Sequence, residues 1–367
     1  MLSGCNKQQS VSDRLLNEVE KAIAINPDSA SNLLKSISSP EKLDDKAFAR
    51  WCMLSGKITD EIFNSILPTY QLERAYDWYS SHGSPDEQVQ ILIYLGRSYF
   101  ADGDYDKAMS IYTNALDIAG KNKLNNLIGY TYDYIGDLYR EKFMFTEAIK
   151  KYETAAECFK KENNTDSYAC ALKNIGREYA CIDSLSCAIE ILTIADSVAA
   201  NTKDIEVTAS INNALGNIYV MREEYDKAEK YFLKALSTGK EKMPDYVALI
   251  DLYTTTDSID KAKELLSKIP QDDPQYTCSI NYLYYQIHNA ERDYKEALAY
   301  LEEYVDMVDS IVYADSQSKI LNIESKYNHL KISQEVDRLK IKQQSYIIIS
   351  IISIVTLLFI TVGYLLY

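Results

Sequence analysis

The stretch YLGRSYFADGDYDKAMSIYTNAL at residues 94–116 returns, much altered, as YIGDLYREKFMFTEAIKKYETAA at residues 134–156. In both copies a glycine is followed three residues later by a tyrosine, and an alanine follows nine residues after that. The same order recurs twice more at a 40-residue step, which places these residues in one register: Gly96, Gly136, Gly176 and Gly216; Tyr99, Tyr139, Tyr179 and Tyr219; Ala108, Ala148, Ala188 and Ala228. A chain with one pattern at a fixed period is a stack of one supersecondary unit, whose copies bury their apolar faces against one another.

Each copy predicts a pair of helices, because two helices that cross at close range need a small residue at the contact and a large one beside it. After the fourth copy the step shortens to 34 residues, at Tyr253 and Ala262, and Ile250 replaces the glycine. A looser sixth copy has Tyr285 at the glycine position, followed by Ala297. The sequence therefore predicts about six repeats, over residues 83–306.

The pattern resembles the tetratricopeptide repeat, which carries Leu-Gly, Tyr, Ala, an aromatic residue and Ala at fixed positions. The first copy supplies Leu95-Gly96, Tyr99, Ala108, Tyr112 and Ala115. The resemblance implies an all-α solenoid, a right-handed superhelix of helix pairs that binds peptides or partner segments. Because the family's usual period is 34 residues, we expect polar loops at 120–123 and 160–166 to carry the additional residues.

The segments that flank the repeats are helical by pattern. Residues 11–82 predict one or two degenerate repeats, and residues 307–345 predict a long polar stalk helix. A heptad-like stripe of Ile320, Ile323, Tyr327 and Leu330 is shorter than a sustained coiled coil requires, so a homodimer through this helix is an alternative to a plain stalk. Within the array, four side chains are expected to cap the second helix of a pair: Asp104, Ser184, Ser258 and Asp293.

Both ends of the chain suggest a membrane. Within residues 1–10, Leu2-Ser3-Gly4-Cys5 resembles a bacterial lipobox and predicts a lipid on Cys5, with a disordered, unmodified N-terminus as the alternative. Residues 346–367 hold no charged residue and are long enough, at about 1.5 Å per residue, to cross a hydrocarbon core as one transmembrane helix.

The orientation of this predicted span has two interpretations. The lipobox favours repeats in the periplasm of a Gram-negative bacterium. Four basic residues just before the span favour instead a tail-anchored protein with its repeats on the cytoplasmic face: Lys331, Arg338, Lys340 and Lys342. We expect the periplasmic arrangement, in which a signal segment precedes residue 1 in the native gene and further chain follows the span.

The sequence argues against an enzyme. Only His82, His288 and His329 could act as acid–base groups near neutral pH, and none lies in a metal, nucleophile or phosphate-loop motif. The seven cysteines form no Cys-x-x-Cys motif, and we expect all except Cys5 to be buried helix residues. A net charge of −15 disfavours nucleic acid as a partner. No cofactor or metal is expected.

A binding surface is expected instead. The resemblance implies that the first helix of each pair lines a groove, into which nine residues would point: Arg97, Asp133, Asp137, Arg140, Lys173, Arg177, Asn213, Asn217 and Asp251. Lys173 and Arg177 beside the two asparagines resemble, in residue type, the clamps with which some of these proteins hold a peptide carboxylate. The alternative is a solvated charged face with internal salt bridges.

Together these observations predict a membrane-anchored binding module for a protein or peptide ligand, the sensor part of a bacterial envelope signalling protein. Two alternatives stay open at this point. One is a regulator of this kind whose output domain is missing, and the other is an assembly scaffold for membrane complexes without a signalling role.

Overall fold

The computed structural model describes residues 2–62, 66–202, 204–271, 273–314, 316–317, 338–339 and 341–346, without the side chains of residues 2–12, 61 and 62. The chain divides into two compact units, Met1–Val312 and Tyr313–Tyr367. In the second unit the described residues are helical.

The first unit is built from helices throughout its described residues. They are α1 (Leu2–Ile23), α2 (Pro27–Lys35), α3 (Asp45–Ile62), α4 (Thr69–His82), α5 (Pro85–Ala101), α6 (Tyr105–Asn122), α7 (Asn125–Glu141), α8 (Phe145–Lys161), α9 (Thr165–Cys181), α10 (Leu185–Ala199), α11 (Ile205–Met221), α12 (Tyr225–Thr238), α13 (Met243–Thr255), α14 (Ile259–Leu266) and α15 (Thr277–Ala290). A 3₁₀ turn lies at Pro40–Lys42, and residues 294–312 are helical.

The helices pack as successive pairs, as the repeat pattern predicts. Each odd-numbered helix from α5 to α13 packs against the even-numbered helix that follows it, and that helix packs against the next odd-numbered one. A three-residue turn joins the two helices of a pair, and its middle residue has a positive φ in all five turns: Gly103, Phe143, Asp183, Glu223 and Asp257. The result is an α-solenoid of tetratricopeptide-like helix pairs.

The repeat glycines lie where the two helices of a pair meet. A Cβ atom on Gly136 would lie 2.5 Å from Cε1 of Tyr152, and one on Gly176 would lie 2.6 Å from Cγ of Leu192. Gly96 and Gly216 face Tyr112 and Phe232 at similarly close range: all four large side chains are buried. The 40-residue pattern of small and large residues therefore arises from one helix–helix contact that is repeated in each pair.

The predicted polar loops at 120–123 and 160–166 are wrong for most of their length. α6 continues to Asn122 and α8 to Lys161, so that two residues join α6 to α7 and three join α8 to α9. Ala119 and Phe159, both buried, anchor the last turns of these helices. The additional residues of the 40-residue period lengthen the helices, because each added turn keeps its backbone hydrogen bonds and buries one more side chain.

The cysteines are less buried than the sequence suggested. Cys52 is buried, but Cys181 and Cys187 are exposed and three others are half-buried: Cys158, Cys170 and Cys278. Cys181 is the last residue of α9, at the turn edge of its pair, where packing ends. The side chain of Cys5 lies outside the described residues.

The membrane predictions fall mainly on residues that the structure does not describe. Of the predicted span at 346–367 only Tyr346 is described, and the predicted stalk at 307–345 is described only in part. Over the described residues, no helix combines the length and the apolar character needed to cross a membrane.

Candidate functional site

Two of the cavities in the described part of the chain lie along the odd-numbered helices. The first, which we call the C-terminal cavity, has a volume of about 630 Å³ and is lined by residues of α9, of α11 and of the start of α13. The second, the N-terminal cavity, has a volume of about 860 Å³ and takes most of its lining from α3, α5, α7 and α9. Cys170, Asp204 and Val207 line both, so the two cavities are neighbours on one surface.

The nine predicted groove residues divide between these places. Lys173, Arg177, Asn213 and Asn217 all line the C-terminal cavity. Arg97 and Asp133 line the N-terminal cavity, whereas three others line neither: Asp137, Arg140 and Asp251. The structure thus brings together the two basic residues and the two asparagines, and their role in binding stays a prediction.

The two asparagines form a short hydrogen-bonded chain. Nδ2 of Asn217 donates to Oδ1 of Asn213 at 2.9 Å, and Nδ2 of Asn213 donates to Oδ1 of Asp245 at 2.6 Å. These bonds fix the orientation of both amides. Nδ2 of Asn217 also donates to the main-chain oxygen of Asn213 at 3.1 Å. Because an amide group offers two donor hydrogens and an oxygen with two lone pairs, Asn217 can offer a ligand its Oδ1, and Asn213 can offer its second amide hydrogen.

The two cations of this cavity act on nearby carboxylates without pairing with them: the charge of Lys173 opposes the rise in the pKa of Asp133, and that of Arg177 opposes the rise in the pKa of Glu178. Nζ of Lys173 donates to the hydroxyl of Ser210 at 3.5 Å, and neither Lys173 nor Arg177 forms an ion pair with a described residue. Lys173 is half-buried, whereas Arg177 is exposed. A half-buried ammonium group attracts an anion more strongly than one in bulk water, since the effective dielectric constant is lower.

Carboxylates from two helix starts complete the C-terminal cavity, and the sequence analysis missed them. Asp204, Glu206, Glu241 and Asp245 all line it. Asp245 is 3% exposed, and burial raises the pKa of its carboxyl to about 6, with the hydrogen bond from Asn213 opposing the rise. At neutral pH this carboxyl is mostly ionised, so the cavity carries charges of both signs.

A partial signal for these carboxylates was present in the sequence. Glu206 and Asp245 lie in the first turns of α11 and α13, where acidic residues favour a helix through its dipole. The groove positions taken from the repeat pattern sample the middle of each helix. They therefore do not show that two helix starts open into the same cavity.

Arg97 has a structural role. Its guanidinium pairs with Asp60 of α3, and it stacks over the rings of Tyr94 and Tyr134, 5.9 and 5.2 Å from their centroids. Its side chain is 17% exposed. Through these contacts Arg97 connects α5 to α3 and α7.

Asp137 and Arg140 also bond inside the protein. Tyr152 donates its hydroxyl to Oδ1 of Asp137 at 2.7 Å, and Nη2 of Arg140 lies 3.4 Å from the same oxygen. Nε of Arg140 lies 3.9 Å from Glu178, a carboxylate that is 2% exposed. This cluster couples α7 to α8 and α9 and leaves little free charge for a ligand.

The other two predicted carboxylates, Asp133 and Asp251, are half-buried. Asp133 accepts a hydrogen bond from Asn174 at 3.2 Å, and burial together with the nearby charge of Asp137 raises its pKa to about 7. Burial also raises the pKa of Asp251, and a hydrogen bond with Gln286 opposes this rise. Among the described residues, no group of three or more histidine, cysteine or acidic side chains is arranged to hold a metal ion.

Known proteins support the repeat architecture. Tetratricopeptide repeat family models match residues 92–125 and 208–243. No curated protein matches the chain.

Solved structures share the fold at low sequence identity. The apo form of RapI is 15% identical with a TM-score of 0.55, over 85% of this chain and 93% of that one. The apo form of the quorum sensor NprR from B. thuringiensis is 13% identical with a TM-score of 0.51, over 86% of this chain and 99% of that one. NprR in complex with its cognate peptide NprX is 16% identical with a TM-score of 0.50, over 79% of this chain and 88% of that one. The repeat register, the glycine contacts and the two matched segments together identify this chain as a tetratricopeptide repeat protein.

Proposed function

We propose that this chain is a binding module for a peptide or a protein segment, and that the ligand lies in the C-terminal cavity. One observation carries the proposal: four side chains from two successive repeats line one cavity, and neither of its two cations forms an ion pair with a described residue. The four are Lys173, Arg177, Asn213 and Asn217. A volume of about 630 Å³ lies within the range of ligand-binding pockets.

The chemistry of the four side chains suits a peptide. A carboxylate bound by Lys173 or Arg177 makes charge-assisted hydrogen bonds of about 1.5–3 kcal/mol each, and amides such as those of Asn213 and Asn217 bond to peptide main chain. The complex of NprR with NprX gives independent support, since a protein of this fold holds a peptide. Nothing in such a role requires a catalytic group.

The test removes the two cations and measures peptide binding. The full chain, in detergent, is used to select binders from random heptapeptides displayed with free carboxyl ends. The variant Lys173→Ala with Arg177→Ala should bind the selected peptides at least about tenfold more weakly, equivalent to about 1.4 kcal/mol. Its melting temperature should change little, because charges at such positions contribute little to folding.

A matched control separates this site from general charge effects. Lys150→Ala with Lys230→Ala removes the same charge from exposed positions on α8 and α12, away from the odd-numbered helices, and should bind as the wild type does. If the two double variants bind peptides equally well, the C-terminal cavity is not the binding site.

We further propose that the module is membrane-anchored and belongs to a bacterial envelope sensor. Support comes from the sequence: an uncharged 22-residue stretch at 346–367 and the lipobox-like Leu2-Ser3-Gly4-Cys5. With the repeats in the periplasm, protease added to spheroplasts should degrade residues 6–340 and spare cytoplasmic markers. Protection of the repeats would support the cytoplasmic, tail-anchored alternative. A scaffold without a signalling role would bind its partner without any change in gene expression.

A further inference from the structure

The sixth helix pair carries an exposed apolar face on its second helix, at 294–312. Four side chains form this face, each between 45% and 65% exposed: Tyr294, Leu298, Val305 and Val312. In a helix of 3.6 residues per turn these positions fall within an arc of about 40° and extend over about 27 Å. We call this surface the sixth-pair face.

The first helix of the pair, α15, fixes the position of the second. The rings of Tyr284 and Tyr300 stack with their centroids 4.7 Å apart, and Ala297 is buried. Nδ2 of Asn281 donates to Oε2 of Glu303 at 3.2 Å. These contacts lie on another side of the second helix, so they leave the sixth-pair face open.

The same positions are covered in the second repeat. Leu298 and Val305 follow the repeat alanine of their copy by one and eight residues, as Ile149 and Ala156 do on α8. Ile149 and Ala156 are both 5% exposed and share a core cluster with buried side chains of α9, the helix that packs on α8 next. The sixth-pair face is therefore a surface of the kind on which a further helix packs.

The spacing of the apolar side chains also favours a helix as the occupant. Leu298, Val305 and Val312 stand seven residues apart, which is the repeat of an apolar seam between two helices. Along the helix axis this step is about 10.5 Å. An extended segment presents a side chain to the same surface about every 6.6 Å, so it does not match the step.

The charge beside the sixth-pair face determines which helix fits it. Glu302, Asp306 and Asp309 lie along one flank of the face, are exposed, and form no ion pair with any described residue. The sequence from 294 to 312 holds five acidic residues and one basic residue, Lys295. A second copy of this face would bring like charges together, and an anionic lipid surface would be repelled.

We propose that the sixth-pair face docks an amphipathic helix of a partner protein, with an apolar stripe over Leu298, Val305 and Val312 and with lysine or arginine side chains beside Glu302 and Asp309. Burial of the apolar stripe supplies the affinity, and the charges select the partner. This partner is additional to the ligand of the C-terminal cavity, which lies on other helices.

The experiment uses the full chain in phosphatidylcholine nanodiscs and a synthetic probe helix of about three heptads. The probe carries a fluorophore and an amidated carboxyl end, with leucine along one stripe and lysine on both flanks. One comparison peptide has glutamate in place of lysine, and the other has the lysine peptide's composition in scrambled order. By fluorescence anisotropy, the lysine helix should bind at least about tenfold more tightly than either.

Two double variants locate the binding. Leu298→Ser with Val305→Ser should weaken binding of the lysine helix at least about tenfold. Glu302→Gln with Asp309→Asn should weaken it severalfold and should also make the affinity less dependent on salt. All four side chains are exposed, so the melting temperature should change little. If the serine variant nevertheless unfolds, the charge variant carries the test alone.

Matched controls remove similar groups elsewhere. Ile194→Ser with Leu233→Ser takes two exposed apolar side chains from α10 and α12, and Glu153→Gln with Glu157→Gln takes two exposed carboxylates from α8. Both controls should bind the lysine helix as the wild type does. So should the variant of Lys173 and Arg177, which keeps this test apart from that of the C-terminal cavity.

Three results would overturn the inference. They are absence of binding by the lysine helix, equal binding of the lysine and glutamate helices, and equal losses in the face variants and their controls. A maleimide, with the labelled residue identified by mass spectrometry, tests whether the face is free: Val305→Cys should react readily and should be protected by the lysine helix. Protection without the probe would show that this chain or a second copy covers the face, which would also overturn the inference.

Discussion

Replacing Gly136 by alanine tests the contact that defines the repeat. A Cβ atom there would lie 2.5 Å from Cε1 and 2.7 Å from Cδ1 of Tyr152, a ring that is fully buried. The hydroxyl of this ring donates to Asp137 at 2.7 Å, so the ring cannot turn aside without losing that hydrogen bond. Carbon atoms in contact normally stand about 3.5–4.0 Å apart, so the ring must move by about 1 Å.

The expected change in the free energy of unfolding follows from three contributions. Overpacking of a buried site costs about 1–3 kcal/mol, and loss of a hydrogen bond to a charged acceptor costs about 1.5–3 kcal/mol. Alanine in place of glycine within a helix stabilises the folded protein by about 1 kcal/mol. Gly136→Ala should therefore destabilise the protein by about 1.5–5 kcal/mol.

Urea denaturation followed by far-ultraviolet circular dichroism measures this change, with Gly120→Ala as the matched control. Gly120 is also helical, in α6, but it is exposed and a Cβ atom there would have no neighbour within 4 Å. Gly120→Ala should therefore raise stability, by up to about 1 kcal/mol. If Gly136→Ala gained stability as Gly120→Ala does, the close helix contact would not be the reason for the glycine.

Two further predictions concern single side chains. Phe143 has a φ of 57°, a left-handed conformation that asparagine adopts more readily than phenylalanine, and its ring is 80% exposed. Phe143→Asn should therefore raise the free energy of unfolding by about 0.5–1 kcal/mol, and a lower melting temperature would show that the ring makes a stabilising contact. The pKa of Asp245 rises from 3.8 to about 6 on folding, so the folded protein binds a proton at this carboxyl more tightly than the unfolded chain does. The stabilisation that this proton provides is complete below about pH 4 and is lost as the pH rises through 6. Relative to the wild type, Asp245→Asn should gain up to about 3 kcal/mol between pH 4 and pH 7 in denaturation curves, and a difference independent of pH would contradict the shift.

The parts of the fold that depend on contacts within one repeat could be predicted from the sequence. The glycine and the large side chain that it faces lie 16 residues apart, as Gly136 and Tyr152 do, so their pairing recurs in the four copies of the 40-residue register. Helix capping was less predictable. Asp104 and Asp293 accept hydrogen bonds from the main chain of the helices they precede, whereas Ser184 and Ser258 do not. A carboxylate extends further than a hydroxyl and reaches its donor over a wider range of geometries.

Contacts between repeats could not be predicted in the same way. Arg97 satisfies the groove pattern, but its partner Asp60 lies in the segment where the consensus is lost, so nothing in the repeat register shows their pairing. Asp245 escaped notice because it lies in the first turn of α13, outside the mid-helix positions that the repeat pattern gives. In both cases the deciding distance is set by how neighbouring repeats are placed, and a period alone does not determine it.

The C-terminal cavity takes its lining from three successive repeats, through α9, α11 and α13. In a linear array each unit is held only by its neighbours, and local opening of one unit is resisted by two interfaces. A ligand that contacts all three helices stabilises the three repeats against local unfolding, because any one of them can open only after the ligand leaves. Occupancy at a hundredfold excess over Kd would add about 2.7 kcal/mol to that opening. The bound array would then be mechanically stiffer than the free one, without any change of backbone conformation.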